Sequence, residues 1–160
     1  MKRIGVTGHR TFDDVDGTAD AIDGVLAGLV ADEVQVWSSL AEGADRLVAE
    51  RAMARGASLV VVLPLRAAEY RKDFADPLSV AEFDRLVGAA SEVHLARPDD
   101  PTREAAYEAA GREMLGHIDV LIAVWDGAPA RGRGGTAQIV GEARALGIEV
   151  AVVPVTRDNV

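Results

Sequence analysis

The chain has 160 residues, no cysteine and a formal net charge of −9 at pH 7. The missing cysteine excludes disulfides, thiol nucleophiles and thiolate metal sites, and the negative charge disfavours binding to a nucleic-acid backbone. The sequence shows no signal-peptide pattern and no apolar run near the ~20 residues of a transmembrane helix. We therefore expect one domain over residues 1–160, located in the cytoplasm and without nucleic-acid or membrane partners.

Short apolar runs rich in β-branched residues alternate with segments of helical period. Strands are predicted, in chain order, at Arg3–Thr7, Val34–Ser38, Ser58–Leu63, Glu92–Leu95, Val120–Trp125 and Glu149–Pro154. This alternation is typical of right-handed crossovers, which build a mostly parallel sheet with helices on both faces. The predicted fold class is therefore α/β, a Rossmann-like three-layer sandwich with about six strands.

The helical segments are recognised by apolar residues that recur at i, i+3 and i+4. They are predicted, in chain order, around Ile22–Val30, Leu47–Met53, Leu78–Ala89, Thr102–Gly116 and Thr136–Leu146. Thr102 is the expected N-cap of the fourth helix. Gly56 and Gly147 are the expected ends of the second and fifth helices, because glycine tolerates the backbone conformation that follows a helix.

A long connection, Pro64–Pro77, separates the third strand from the third helix. Connections of this length are usually functional or mobile. Tyr70 and Phe74 could stack on a base and Arg66 could reach a phosphate, while Tyr70 could equally pack the loop onto the core.

In parallel α/β sheets, ligands bind beyond the carboxyl ends of the strands, so the strand–helix turns are the candidate sites. The first turn, Thr7-Gly8-His9-Arg10, has one glycine. It lacks both the dinucleotide fingerprint and the P-loop, which excludes an ordinary nicotinamide dehydrogenase or P-loop NTPase, and we predict no cofactor. Arg10 suits an anion, and Gly8, His9 and Arg10 are predicted to line the floor of the ligand site. His9 could contact a base or phosphate, or cap the turn.

The second turn places two hydroxyl groups, Ser38 and Ser39, at the end of a strand and Gly43 just before a helix. This arrangement suits hydrogen bonding to phosphate or ribose. The alternative is that the two serines satisfy local backbone donors.

The turn after the fifth strand, Gly127–Thr136, is rich in glycine and contains Arg131 and Arg133. Glycine lets the backbone approach a ligand, and the following helix presents free N–H groups, which together favour a phosphate site. The residues predicted to hold the phosphate are Arg133, Gly134, Gly135 and Thr136. A plain glycine turn is the alternative.

Two further observations concern the candidate chemistry of the chain. Asp126 ends the fifth strand beside Gly127, where it could hold a ribose hydroxyl or assist glycosidic chemistry, or simply start a turn. His94 and His117 have no partner at a spacing typical of metal ligands, so no metal site is predicted.

The octet Ser38–Asp45 resembles the S-G-L-A-x-G-I-D motif of the DprA/Smf family of DNA-processing proteins, which it matches at Ser38, Leu40, Ala41, Gly43 and Asp45. Arg55–Pro64 is similar to the next strand of that family, and Gly134-Gly135-Thr136 resembles the G-G-x-G-T turn of the LOG phosphoribohydrolases. On these motifs the chain is identified as a member of the SLOG superfamily. The resemblance implies a Rossmann-like domain that binds a nucleotide or a nucleotide-derived small molecule and dimerises through its helices.

The glycine-rich turn departs from the LOG pattern P-G-G-x-G-T-x-x-E, whose glutamate is used to cleave an N-glycosidic bond. Ile139 occupies that position, and Glu142 lies three residues later. The resemblance therefore favours binding, as a sensor or carrier, over LOG-type hydrolysis. One alternative is an N-glycosidase or transferase that uses Asp126, Glu69 or Glu142 as the acid–base group. The position of Asp126 at the end of the fifth strand resembles that in the nucleoside deoxyribosyltransferases. The other alternative is an inactive scaffold that acts through oligomer contacts.

Overall fold

A six-stranded parallel sheet forms the centre of the computed structural model, which describes residues 1–29, 31–129 and 132–157. The strand order is β4-β3-β2-β1-β5-β6, and every neighbouring pair is parallel. The strands are β1 (Lys2–Gly8), β2 (Val34–Ser38), β3 (Ser58–Leu63), β4 (Glu92–Leu95), β5 (Val120–Trp125) and β6 (Glu149–Pro154). The predicted bounds are confirmed for β2 to β6, and β1 extends one residue further at each end.

Strand β3 shows why an uninterrupted apolar run forms a central strand. Its side chains alternate between the faces of the sheet: Leu59, Val61 and Leu63 belong to one core cluster. Val60 and Val62 belong to the cluster on the opposite face. Because helices cover both faces, the five positions from Leu59 to Leu63 are all apolar, and only the exposed first residue, Ser58, is polar.

The helices are α1 (Val15–Gly28), α2 (Ala44–Ala54), α3 (Ala67–Tyr70), α4 (Pro77–Ala89), α5 (Arg103–Leu115) and α6 (Thr136–Ala145). Apolar residues of α1, α2 and α4 enter the first core cluster, and those of α5 and α6 enter the second. The Rossmann-like three-layer fold class is therefore confirmed. In the described parts of the chain, no helix has the length and apolar character needed to cross a membrane.

The helix ends follow the capping residues that the sequence indicated. Thr102 Oγ1 accepts a 3.1 Å hydrogen bond from the backbone N–H of Ala105 and so caps α5. Gly56 and Gly147, which follow α2 and α6, have φ angles of +96° and +76°. Residues with a Cβ rarely adopt these angles, which explains why glycine stands at both positions.

The Pro64–Pro77 connection contains regular structure that the sequence analysis did not predict. It folds into α3 and one 3-10 turn, and the aromatic side chains of Tyr70 and Phe74 are 1% and 4% exposed. Both rings contact Phe83 of α4, with centroids 5.4 and 5.3 Å away. The connection is therefore packed onto the core through its aromatic residues, the second of the two roles considered for Tyr70.

Arg46 of α2 also anchors this connection, although it is a buried charge, 4% exposed. Its Nε donates to the carbonyl of Leu40, and its Nη1 donates to the carbonyl and hydroxyl oxygens of Ser79 and to Glu82. The guanidinium carbon lies 4.5 Å from the centre of the Phe74 ring. These hydrogen bonds and the aromatic ring compensate part of the loss of water around the charge, while Nη2 of Arg46 is buried without a hydrogen-bond partner among the described residues.

Candidate functional site

The direction of chain winding reverses between β1 and β5, because β2, β3 and β4 extend on one side of β1 while β5 and β6 extend on the other. Such a switch point leaves a crevice beyond the carboxyl ends of the two strands. A cavity of about 260 Å³ lies there, and we call it the switch-point cavity. Of the predicted site residues, it is lined by Gly8, Arg10, Ser39, Arg133, Gly134, Gly135 and Thr136.

The remaining wall of the switch-point cavity includes Tyr70, for which the sequence left stacking on a base and packing of the loop open. The rest of this wall comes from residues that were not predicted to form a site, chiefly Asp45, Pro64, Tyr107, Met114 and Ile139. Asp45 was visible in the sequence only as a matching position of the Ser38–Asp45 octet. Tyr107 and Met114 carry no local signal, because α5 meets the turns only through tertiary packing.

Arg10 brings a positive charge to the cavity. Its guanidinium carbon lies 5.8 Å from the centre of the Tyr107 ring, a distance compatible with a cation–π contact. Among the described residues, no carboxylate lies within ion-pairing distance of Arg10. Against the lowering effect of burial, the hydrogen bond with Tyr107 and the more distant charge of Asp73, which accepts from Tyr107, raise the pKa of Arg10. Arg10 is therefore held in place without a direct ion pair, as an anion site requires.

The amino terminus of α6 reaches the same cavity through Gly135 and Thr136. Gly135 is the N-cap residue and, lacking a side chain, makes no capping hydrogen bond. The first intrahelical bond of α6 runs from the Ile139 N–H to the Gly135 carbonyl, so the amides of the first turn have no acceptor within the helix. These amides and the helix dipole favour an anion in the cavity.

Gly134 is required by close packing as well as by turn geometry. Its φ angle is +78°, and a Cβ at this position would lie 2.8 Å from the backbone nitrogen of Glu108 in α5. Its N–H donates to the side-chain oxygen of Gln138 at 2.7 Å. The Gly134 amide therefore has a partner inside the protein and fixes the turn against the first turn of α6.

Arg133 lines the cavity, but its guanidinium is held by three carboxylates. Nε donates to Glu108 at 3.0 Å, Nη1 to Asp100 at 2.7 Å and Nη2 to Asp99 at 2.8 Å. The hydrogen bond to Asp100, followed by those to the other two carboxylates, raises the pKa of Arg133. Arg133 thus ties the glycine-rich turn to α5 and the segment before it. Arg131, the other arginine of this turn, lies outside the described residues.

Asp45, in the first turn of α2, is a carboxyl group in the cavity wall that is only 8% exposed. Its Oδ2 accepts a 3.3 Å hydrogen bond from the backbone N–H of Ala41, and it has no ion pair within the described ranges. Burial raises the pKa of Asp45 to about 7, against the opposing effects of the Ala41 hydrogen bond and of the charges of Arg10 and Arg46. A cavity carboxyl that titrates near neutral pH is a candidate for ligand recognition or proton transfer.

Two predicted ligand contacts, Ser38 and Gly43, do not line the switch-point cavity, and both have internal roles. The buried Ser38 hydroxyl donates to the carbonyl of Asp45 and accepts from the N–H of Leu40, which is the local role that the sequence analysis kept as the alternative. A Cβ on Gly43 would collide with the carbonyl of Arg10. Ser38 and Gly43 therefore shape the turn that presents the cavity-lining residues.

Asp126 and His9 line a neighbouring cavity of about 330 Å³, which shares Gly8, Arg10, Gly135 and Thr136 with the first. Nε2 of His9 lies 3.1 Å from both the backbone nitrogen and Oδ1 of Asp126. This nitrogen can accept a hydrogen bond from the Asp126 N–H when the imidazole is neutral, and it can donate to Oδ1 when the imidazole is protonated. The N–H of Ala128 and, after it, Arg157 and His9 lower the pKa of Asp126 to about 2.

The other two carboxylates considered for acid–base chemistry, Glu69 and Glu142, do not line the switch-point cavity. Glu69 pairs with Lys72 and Arg103, and Glu142 accepts from Arg112 at 2.8 Å. Ile139, which replaces the LOG glutamate, is buried in the cavity wall. No cluster of three or more potential metal-ligating side chains occurs in the part of the chain that the structure describes.

No protein-family model and no curated protein sequence matches this chain. Among solved structures, it is similar to DNA processing protein A (DprA) from Streptococcus pneumoniae, with a TM-score of 0.65 and 20% sequence identity. The match covers 95% of this chain and 50% of that protein, so the chain spans half the length of this relative. At this identity the likeness establishes the architecture alone: the chain has the Smf/DprA type of Rossmann-like fold.

Proposed function

We propose that the protein binds a nucleotide or a nucleotide-derived small molecule in the switch-point cavity, as a sensor or carrier. The observation that carries this proposal is the placement of Arg10, a cation without a carboxylate partner among the described residues, in the same cavity as the uncapped amino terminus of α6. Two independent sources of positive potential thus face one space of about 260 Å³. A phosphate group matches both of them.

The rest of the cavity suits the organic part of such a ligand. Tyr107, Met114 and Ile139 supply apolar surface, and Ser39 and Asp45 supply polar groups. A pocket that combines apolar surface with a few placed polar groups is typical of small-molecule sites. The fold likeness to a DNA-processing protein is consistent with a ligand of nucleotide chemistry.

Thermal unfolding with added ligand tests the proposal. AMP, ADP-ribose, NAD and cyclic nucleotides are added separately, with adenosine as the matched compound that lacks a phosphate. A ligand at 100 times its Kd stabilises the native state by about 2.7 kcal/mol, so at least one phosphorylated ligand is expected to raise the melting temperature while adenosine does so less. If none of the nucleotides shifts the transition, the proposal fails.

A nucleotide N-glycosidase is the second candidate, and Asp45 is the observation that favours it. Among the carboxylates in or near the cavity, Asp45 has a pKa of about 7 and could therefore donate a proton to a departing base. Incubation with nucleoside monophosphates, followed by chromatography for free base, separates the two functions. Release of base that is lost in Asp45→Asn would establish the enzyme, and binding without release would leave the sensor or carrier.

A further inference from the structure

We propose that anion binding in the switch-point cavity takes up a proton on Asp45, so that the protein holds its ligand more tightly in acid than in alkali. The inference rests on the proposed function, because it concerns the same cavity and the same anion. It assigns to Asp45 a role in regulating affinity.

Few groups of the protein compensate the negative charge of ionised Asp45. The side chain is buried, and one oxygen accepts a 3.3 Å hydrogen bond from Ala41. No Lys, Arg or His of the described chain lies within 4 Å of the carboxylate. The position at the start of α2 favours the ionised form through the helix dipole, but loss of water disfavours it.

The charged and titratable groups around Asp45 are Arg46 on α2 itself, Arg10 from the turn after β1 and Tyr70 from α3. Arg10 is in turn faced by Tyr107 of α5, whose hydroxyl donates to Asp73 of the 3-10 turn Arg71–Asp73. Arg46 is 4% exposed and does not line the cavity, whereas Arg10 does. Arg10 is therefore the cation whose surroundings a ligand can change.

A bound anion changes the charges that Asp45 faces. An anion that pairs with Arg10 offsets the positive charge that supports ionised Asp45, and it adds a like charge inside the same cavity. Both effects favour the protonated form of Asp45. By linkage, a ligand that favours protonation is itself bound more tightly when Asp45 is protonated, so affinity falls as the pH rises through the titration of Asp45.

Sulfate is the probe, because it keeps two negative charges across the pH range used and its own titration contributes nothing. Its Kd is measured by calorimetry at pH 5.5 and pH 8.5, at constant ionic strength, for the parent protein, Asp45→Asn and His9→Gln. The histidine variant removes the imidazole of the residue that precedes Arg10, a further titratable group beside Tyr70, Tyr107 and Asp73. We expect the parent and His9→Gln to bind about tenfold more weakly at pH 8.5, which corresponds to about one unit of pKa coupling, and Asp45→Asn to bind equally at both values.

A second measurement needs no variant. Sulfate is titrated into the parent protein near pH 7 in two buffers of different ionisation enthalpy. The difference between the two binding enthalpies gives the number of protons exchanged on binding, and we expect the protein to take up protons. If sulfate and all the nucleotides of the thermal-unfolding test fail to bind the parent at every pH, the proposed function itself fails. Two results would refute the coupling to Asp45 while leaving the anion site in place. In the first, sulfate binds with the same affinity at both pH values and without proton uptake. In the second, the pH dependence of sulfate binding persists in Asp45→Asn and disappears in His9→Gln.

Discussion

The guanidinium carbon of Arg10 lies 5.8 Å from the centre of the Tyr107 ring. Arg10 follows β1, and Tyr107 belongs to α5 on the far side of the switch-point cavity, so the contact joins two of the cavity's walls. An aromatic ring orients a guanidinium without supplying a negative charge. The protein therefore keeps a positioned cation available for a ligand.

Replacement of Arg10 tests the anion site directly. Arg10→Gln is expected to weaken AMP binding by roughly ten- to hundredfold, because a hydrogen bond to a charged group contributes about 1.5–3 kcal/mol. The free energy of unfolding should change little, since Arg10 is exposed and has no ion pair with a described residue. Isothermal calorimetry with AMP measures the affinity, and Arg144→Gln, a change at an exposed arginine of α6, is the control. Equal losses in both variants would point to general electrostatics instead.

Arg133 should behave differently from Arg10, since its guanidinium already pairs with Glu108, Asp99 and Asp100. We expect Arg133→Gln to lower the melting temperature, because it leaves the nearly buried Glu108 carboxylate without one of its partners. AMP affinity, measured below the melting transition, should stay within about threefold of the parent value. A loss of affinity as large as that expected for Arg10→Gln would show that Arg133 exchanges its carboxylate partners for the ligand.

Gly134 and Gly132 offer a matched pair of substitutions in one turn. Gly134→Ala should destabilise the protein by about 1–3 kcal/mol, because the backbone has φ of +78° and the new Cβ would press on the backbone of Glu108. A Cβ on Gly132 would meet no atom of the described residues within 4 Å, so Gly132→Ala should change the stability by less than about 0.5 kcal/mol. Urea denaturation measures both. Similar effects at the two positions would contradict the close approach of this turn to α5.

Tyr70 connects α3 to the second strand–helix turn. Its hydroxyl donates to the carbonyl of Ser39 at 3.0 Å, and its ring packs among buried aromatic residues. Tyr70→Phe keeps the ring and removes the donor, so we expect a loss of about 1 kcal/mol in the free energy of unfolding. Chemical denaturation of the two proteins measures this difference. An unchanged stability would mean that the hydrogen bond contributes nothing net.

The raised pKa of Asp45 predicts how the free energy of unfolding depends on pH. Its pKa in the folded protein, about 7, lies above the ordinary value of 3.8, so the folded state binds more protons between these limits. Stability from this group is therefore greatest in acid and falls as the pH rises from about 4 to about 7. Asp45→Asn removes the effect. The variant should gain stability relative to the parent as the pH rises, by on the order of 2–4 kcal/mol at pH 8, and a constant difference from pH 4 to pH 8 would contradict the raised pKa.

The sequence predicted the sheet and most helix ends because those features are locally encoded. The run Val120–Trp125 is apolar because both of its faces are covered, and Thr102 caps α5 through a residue three positions away. Such signals lie within one element or one turn. The fold class and the bounds of five strands followed from them.

The composition of the candidate site depended instead on contacts between distant parts of the chain. The glycine-rich turn predicts Arg133 as a phosphate ligand, but nothing in that turn reveals that the guanidinium also pairs with Glu108, Asp99 and Asp100. Ser38 looked like a ligand contact for the same reason, since its partner atom is the carbonyl of Asp45 in the next helix. Tyr107 was missed because it becomes part of the cavity only when α5 packs onto the second face of the sheet.

The most direct test of the anion site is an NMR titration with AMP that follows the backbone amides of the described residues. Thr136 and Ala137, in the uncapped first turn of α6, and the side chain of Arg10 are expected to show the largest shifts, saturating with a single Kd. Adenosine should leave the two α6 amides nearly unchanged. If AMP instead shifts residues at the opposite end of the sheet and leaves the α6 amides and Arg10 unmoved, the switch-point cavity is not the phosphate site.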